Sequence, residues 1–279
     1  MDTILSIQSH VVYGYVGNKA AVYPLQSMGF DVCPINTVQF SNHTGYGHWQ
    51  GEIFSAAHIL KLVDGLFELG LAHRCRAILT GYMGSADICA AVLTTVERFK
   101  KVNPQLIYLC DPVIGNNSCY VKPEVLDFFK KRLQADVITP NQYEAETLSN
   151  INIHSLSNLK QVANYFHKRN IKSIIITGVK FDGDDDLKIF ASDGKKNLLI
   201  EIPECYFSNS INGKGDLFSS TFLGVYLKTN DLATVLQYAT SYLKSALDAT
   251  RVANESELQV LSVQYNNLDP LLLPKVTQF

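Results

Sequence analysis

The feature that most constrains this chain is the alternation, along most of its length, of short apolar and β-branched runs with stretches of helical period. Such alternation is the signature of stacked βαβ units on a parallel sheet. Strands are predicted at 3–7, 31–38, 77–79, 106–110, 136–138 and 173–177, and helices at 18–28, 56–69, 87–102, 123–133 and 156–169. After Thr177 the pattern changes: runs at 188–192 and 198–202 flank the turn-forming pair Asp193-Gly194, which predicts a hairpin at one sheet edge. Helices at 215–227, 232–250 and 255–265 close the chain. No repeat, low-complexity tract or Pro/Gly-rich linker interrupts this order, so residues 1–279 are expected to form a single α/β domain with a mostly parallel sheet.

Composition narrows the function classes. With 47% hydrophobic residues in 279, the chain can bury a large core. The 24 basic and 26 acidic side chains are spread along it, leaving no basic face for nucleic acid. The six cysteines form no C-x-x-C pair and complete no zinc-ligand spacing, which reads as free thiols in a reducing compartment. No run of 18 apolar residues and no leader pattern occurs, so a soluble, cytoplasmic protein without a membrane partner is expected. The acidic run Asp182 to Asp186 lacks the spacing of a calcium loop and reads as a solvated turn.

Open parallel sheets bind ligands beyond the carboxyl ends of their strands. Those positions here are polar or small: Ser9 and His10, Ser41 to Tyr46, Gly81 to Ser85, Asp111 to Asn116, Thr139 to Glu144, then Thr177 and Gly178. The most informative segment is Asn212-Gly213-Lys214-Gly215-Asp216, directly before an apolar helix. Gly213 and Gly215 leave backbone N–H groups uncovered where the helix dipole is positive, an anion hole suited to phosphate. Asp216 beside it is a candidate general base for an attacking alcohol; the alternative is a plain helix cap. The segment is neither a Walker A loop nor a dinucleotide fingerprint. Asp111, Asn141 and Glu144 add hard oxygen groups of the kind Mg²⁺ prefers, each also readable as a turn or cap residue.

Several segments together resemble a known family: Ile7 to Val12, Gly14 to Asn18, Val38 to Tyr46, Thr80 to Tyr82, Cys110 to Val113 and Ile138 to Gln142. They look like pyridoxal kinases of the ribokinase-like superfamily, from Ile4 to about Thr250. The Phe40 to Tyr46 segment is specific to that family, whereas Gly213 to Asp216 is shared across the superfamily. The resemblance implies a three-layer α/β/α sandwich that phosphorylates the 5'-hydroxymethyl group of pyridoxal, and of pyridoxine and pyridoxamine, with ATP in B6 salvage. It implies that Ser9, Thr44 and Tyr82 hold the pyridoxal ring, with Val16 and His43 beside them. Asp111, Thr139, Asn141, Glu144 and Thr177 match positions around the ATP phosphates, with Asp111 and Glu144 nearest the metal. Gly213 and Gly215 match the anion hole, with Lys214 between them, and Asp216 matches the catalytic base. Mg²⁺ is the usual ion of the family, some members also need K⁺, and members are typically homodimers.

Three departures fall on the nucleotide side. Lys214 stands where relatives carry threonine or another small residue, Asn116 where many carry aspartate, and the 116–120 loop is short. Lys214 is expected to add positive charge near the phosphates; the alternative is a side chain turned to solvent. Two rival functions follow: a hydroxymethylpyrimidine kinase, which lacks the Phe40 to Tyr46 segment, and a non-catalytic binder of B6 vitamers or pyridoxal 5'-phosphate.

Overall fold

The computed structural model describes residues 2–203 and 211–279. Strands β1 (Thr3–Val11), β2 (Asp31–Phe40), β3 (Gly51–Ile53), β4 (Cys75–Thr80), β5 (Ile107–Cys110), β6 (Val137–Ile138), β7 (Ser173–Val179), β8 (Asp186–Ser192), β9 (Asn197–Pro203) and β10 (Thr277–Gln278) form one sheet. Its order is β10-β9-β8-β7-β6-β5-β4-β1-β2-β3. The six strands from β7 across to β2 are parallel; β8, β9 and β10 on one side and β3 on the other pair antiparallel. The predicted edge hairpin is β8–β9, extended outward by the two residues of β10.

The helices are α1 (Asn18–Ser27), α2 (Ala56–Glu68), α3 (Ala86–Val102), α4 (Pro123–Arg132), α5 (Gln142–Ser149), α6 (Leu156–His167), α7 (Lys214–Thr229) and α8 (Leu232–Ala253). Strand periodicity sends alternate side chains to opposite faces, so each central strand feeds two cores. Leu5, Ile7, Ile78, Ile174 and Ile176 join the apolar faces of α2 to α6. Ile4, Ala77, Leu79 and Ile175 join α1, α7 and α8. The result is the expected three-layer α/β/α sandwich. Helix starts are fixed locally: Ser55, Ser85, Ser155 and Asp231 each accept a first-turn backbone N–H, and Pro123 opens α4.

Two expectations need correction. The 255–265 stretch is not a helix but turns with 3₁₀ segments at Val260–Ser262 and Tyr265–Asn267. Asn254, left-handed at φ 53°, ends α8, and Thr250 Oγ1 then takes the Gln259 N–H at 2.9 Å. Leu258, Val260 and Val263 are buried at a spacing that no single helix face provides. Conversely, α5 forms where no helix was expected, started by a capping box in which Asn141 and Glu144 each bond the other's backbone N–H. The five described cysteines are free, and Cys205 lies outside the described residues. In the acidic turn Asp184 pairs with Lys188.

Candidate active site

Strand β1 has β2 on one side and β4 on the other, so the loops leaving β1 and β4 diverge and open a crevice at the carboxyl end of the sheet. The first turn of α7 faces that crevice. Gly213 is its N-cap at φ 82°, and a Cβ there would lie 1.9 Å from the Tyr15 carbonyl oxygen, so only glycine fits. The 213–216 segment is thus pressed against the β1–α1 loop. Asp216 sits inside the first turn rather than at the cap, and the Gly17 N–H donates to its carboxylate. A side chain on Gly17 would strike the Ser9 carbonyl at 2.1 Å and its Oγ at 2.4 Å, so Ser9, Gly17 and Asp216 are consecutive neighbours. Burial holds the Asp216 carboxyl above its ordinary value despite that hydrogen bond.

Asp111, at the end of β5, is 5% exposed. Its Oδ2 accepts from Ser219 Oγ at 3.1 Å, and Ser219 Oγ in turn pairs with Thr139 Oγ1 at 2.8 Å, so a serine one turn into α7 couples two strand ends. A Cβ on Gly215 would lie 3.4 Å from the same Oδ2. Desolvation first, then the charges of Glu144 and Asp216, push the Asp111 carboxyl well above the carboxylate range. Glu144 is equally buried, with Oε1 accepting from the Ile114 and Gly115 N–H groups at 2.8 and 3.3 Å and Oε2 from the Asn141 N–H at 2.9 Å. Desolvation still raises it. Asn141 Nδ2 donates to the Gly115 carbonyl at 2.8 Å, and Asn141 bridges to Thr177 across β6 and β7. Residues 115–119 close into a tight turn with Asn117 left-handed, and Tyr120 follows it beside the carboxylates. Lys214 is partly buried, and that burial pulls its ammonium below its ordinary value.

The other half of the crevice is apolar. Val11, Val16, Val38 and Phe40 form a small cluster with Tyr82 packed against it, which places Val16 and Tyr82 in one wall. Thr37 Oγ1 fixes the Tyr82 carbonyl at 2.6 Å. Over this wall runs the 41–50 segment. His43 caps the 3₁₀ turn Thr44–Tyr46 by accepting the Gly45 N–H at 3.1 Å, Thr44 is exposed, and Trp49 leans on Phe40 with ring centroids 4.2 Å apart. Burial lowers the His43 imidazole, keeping it neutral more readily.

Both halves meet at Asp216. All residues expected at the site lie at this end of the sheet, in two groups: Ser9, Val16, His43, Thr44 and Tyr82 on the apolar side, and Asp111, Thr139, Asn141, Glu144, Thr177 and 213–216 on the acidic side. Sequence reasoning missed Ser219, a buried hydroxyl on the inward face of α7, and the Gly17 N–H, for which the glycine after Val16 was the available signal. Among the described residues, no three His, Cys, Asp or Glu side chains converge as an all-protein metal cage.

A crevice at the strand ends of an α/β/α sandwich, with an N-terminal helix turn beside buried carboxylates, defines a small-molecule phosphotransferase site, and the family model described as phosphomethylpyrimidine kinase matches residues 59–260. The pyridoxal kinase PdxY of Photobacterium profundum is 39% identical over 275 residues, 97% of this chain and 94% of that one. Pyridoxal kinase from Leishmania donovani in complex with ADP and ginkgotoxin superposes with a TM-score of 0.92 at 31% identity, covering 100% of both chains. The same enzyme in complex with ADP and pyridoxamine gives 0.92 at 30% identity, again over 100% of both. This chain belongs to the pyridoxal kinase family.

Proposed function

We propose that this chain transfers the γ-phosphate of ATP to the 5'-hydroxymethyl group of pyridoxal, and of pyridoxine and pyridoxamine, as a single-domain, cytoplasmic, homodimeric enzyme of B6 salvage. The observation that carries the reading is the position of Asp216. It is held by the Gly17 N–H between the apolar wall and the uncovered first turn of α7, one glycine away from Asp111. An alcohol seated against Ser9, Val16 and Tyr82 would use that carboxylate, the neighbour of Ser9 through Gly17, as its base. The solved relative in complex with ADP and pyridoxamine supports a reading in which nucleotide and vitamer are the two ligands.

Phosphoryl transfer asks the protein for alignment and charge stabilisation more than for covalent chemistry. The N–H groups at Gly213 to Gly215 receive the transferring phosphate, Lys214 adds positive charge beside it, and Asp216 orients the alcohol and takes its proton. Asn141 and Thr177 border the nucleotide side, and Thr139 positions Asp111 through Ser219. Mg²⁺ fits the donor set: Asp111 is buried, and desolvation first and then the neighbouring carboxylates disfavour its charged form, a field that a divalent cation relieves, and Mg²⁺ is usually held by one or two carboxylates plus substrate phosphates. Asp111 is the direct candidate ligand. Glu144, already accepting three backbone N–H groups, would reach the ion through water. When bound, the ion neutralises charge on the phosphates.

A coupled ADP-release assay with Mg²⁺, ATP and pyridoxal tests the reading, run beside Asp216→Asn and with hydroxymethylpyrimidine as alternative acceptor. The expected result is pyridoxal-dependent turnover that falls by about 10² or more in the variant, with pyridoxal binding retained. More than about a tenth of the activity left would remove Asp216 from the base role. Vitamer binding without turnover in the parent protein would make the chain a non-catalytic binder, and preference for the pyrimidine would make it the other kinase.

A further inference from the structure

We propose that Glu257 is a positioning residue for the vitamer pocket, clipping the β1–α1 loop to the 41–50 segment from the far end of the chain. The inference rests on the vitamer reading above. Glu257 lies in the irregular stretch after α8 and is only 7% exposed. Its Oε2 accepts the Tyr15 N–H at 3.1 Å, and its Oε1 accepts the Tyr46 hydroxyl. The same carboxylate lies against Gly14, where a Cβ would come within 2.4 Å of Oε2. Tyr46 also meets Tyr13 edge-on, with ring centroids 6.2 Å apart.

The stretch that carries Glu257 is itself anchored. Leu258 and Val260 are fully buried in the core formed with α1, α7 and α8, and the Gln259 N–H is held by Thr250. A fixed acceptor therefore ties two loops that have no direct backbone pairing beyond the hydrogen bonds of Val12 and Tyr13 to Phe40 and Ser41. One loop delivers Val16 to the apolar wall and the Gly17 N–H to Asp216; the other delivers His43 and Thr44. The charge of Glu257 also reaches His43, where it opposes the effect of burial on the imidazole. Hydrogen bonds to a charged acceptor are the strong kind, and Glu257, the acceptor shared by both loops, is itself buried.

The test uses the full chain with Glu257→Ala, Glu257→Gln, Tyr46→Phe and the double variant Glu257→Ala/Tyr46→Phe. Expected for Glu257→Ala is a rise of about tenfold or more in the KM for pyridoxal with the KM for ATP within about twofold. Glu257→Gln, which keeps an acceptor, should recover most of the loss, and the double variant should be less impaired than the two singles combined. Amide hydrogen exchange should quicken at 13–17 and 43–47 together in Glu257→Ala. An unchanged pyridoxal KM, equal shifts in both KM values, or unchanged exchange in both loops would overturn the proposal. If Glu257→Ala does not fold, Tyr46→Phe carries the test, and an unchanged pyridoxal KM with unchanged exchange at 43–47 overturns it. Absence of pyridoxal turnover in the parent protein sinks the vitamer reading instead, and the exchange measurement still decides the clip.

Discussion

At the scale of single residues the site is bought at the expense of stability. Asp111 and Glu144 are buried and Asp216 is half-buried, close enough that the charges of Glu144 and Asp216 both raise the Asp111 carboxyl, beyond the larger effect of desolvation. A carboxyl whose folded value is raised binds its proton more tightly in the folded state. These groups therefore cost stability at neutral pH, and the metal-free protein should gain stability as pH falls from 7 toward the unfolded value of about 4. Asp111→Asn keeps an acceptor for the Ser219 hydroxyl while removing the charge. It should raise the metal-free Tm by about 2–4 °C for each kcal/mol recovered while abolishing most turnover. An unchanged or lower Tm by scanning calorimetry would mean that the carboxylates do not repel. Lys214→Thr should raise the KM for ATP about tenfold, the worth of one charge-assisted hydrogen bond, and leave that for pyridoxal unmoved. An unchanged or tighter ATP affinity would leave Lys214 only its backbone N–H.

At the scale of elements, Asp136 is the tie between layers. It is 5% exposed, accepts the Tyr108 N–H of β5 at 2.9 Å, and pairs with Lys100 at the end of α3 and Lys172 before β7 at 2.6 and 2.9 Å. Desolvation opposes its charge, but the lysines and the Tyr108 N–H outweigh it and hold the carboxyl below its ordinary value. Its contribution is therefore full above the unfolded value of about 4 and lost as pH falls through the folded one. Asp136→Ala should cost about 1–3 kcal/mol in urea unfolding, chiefly by orphaning a buried N–H, with both KM values unchanged. Elements with strong periodicity were legible: the predicted strands of the parallel core and the β8–β9 hairpin all form, because β-branched runs buried on both faces admit little else. The eight-residue α5 escaped because a capping box, not an apolar stripe, starts it. The 255–265 stretch misled because its apolar residues serve an extended path over the α1, α7 and α8 core, a tertiary demand invisible in local sequence.

At the scale of the molecule, one uninterrupted sheet covered on both faces should unfold as one unit. Far-UV and near-UV circular dichroism are expected to trace the same urea transition, and two separated midpoints would divide the chain. This scale also explains which site residues could be read in advance. Ser9, Asp111 and Asp216 stand at strand or helix ends, where the topology itself makes sites, whereas Glu257 bonds Tyr46 across 211 positions of sequence. The lone tryptophan of the chain, Trp49, leans on Phe40 at the lip of the apolar half and 40% of it faces solvent. Indole emission thus issues from a single address, and a fluorescence titration is expected to respond to a vitamer entering beside that wall and not to a nucleotide docking alone on the acidic side.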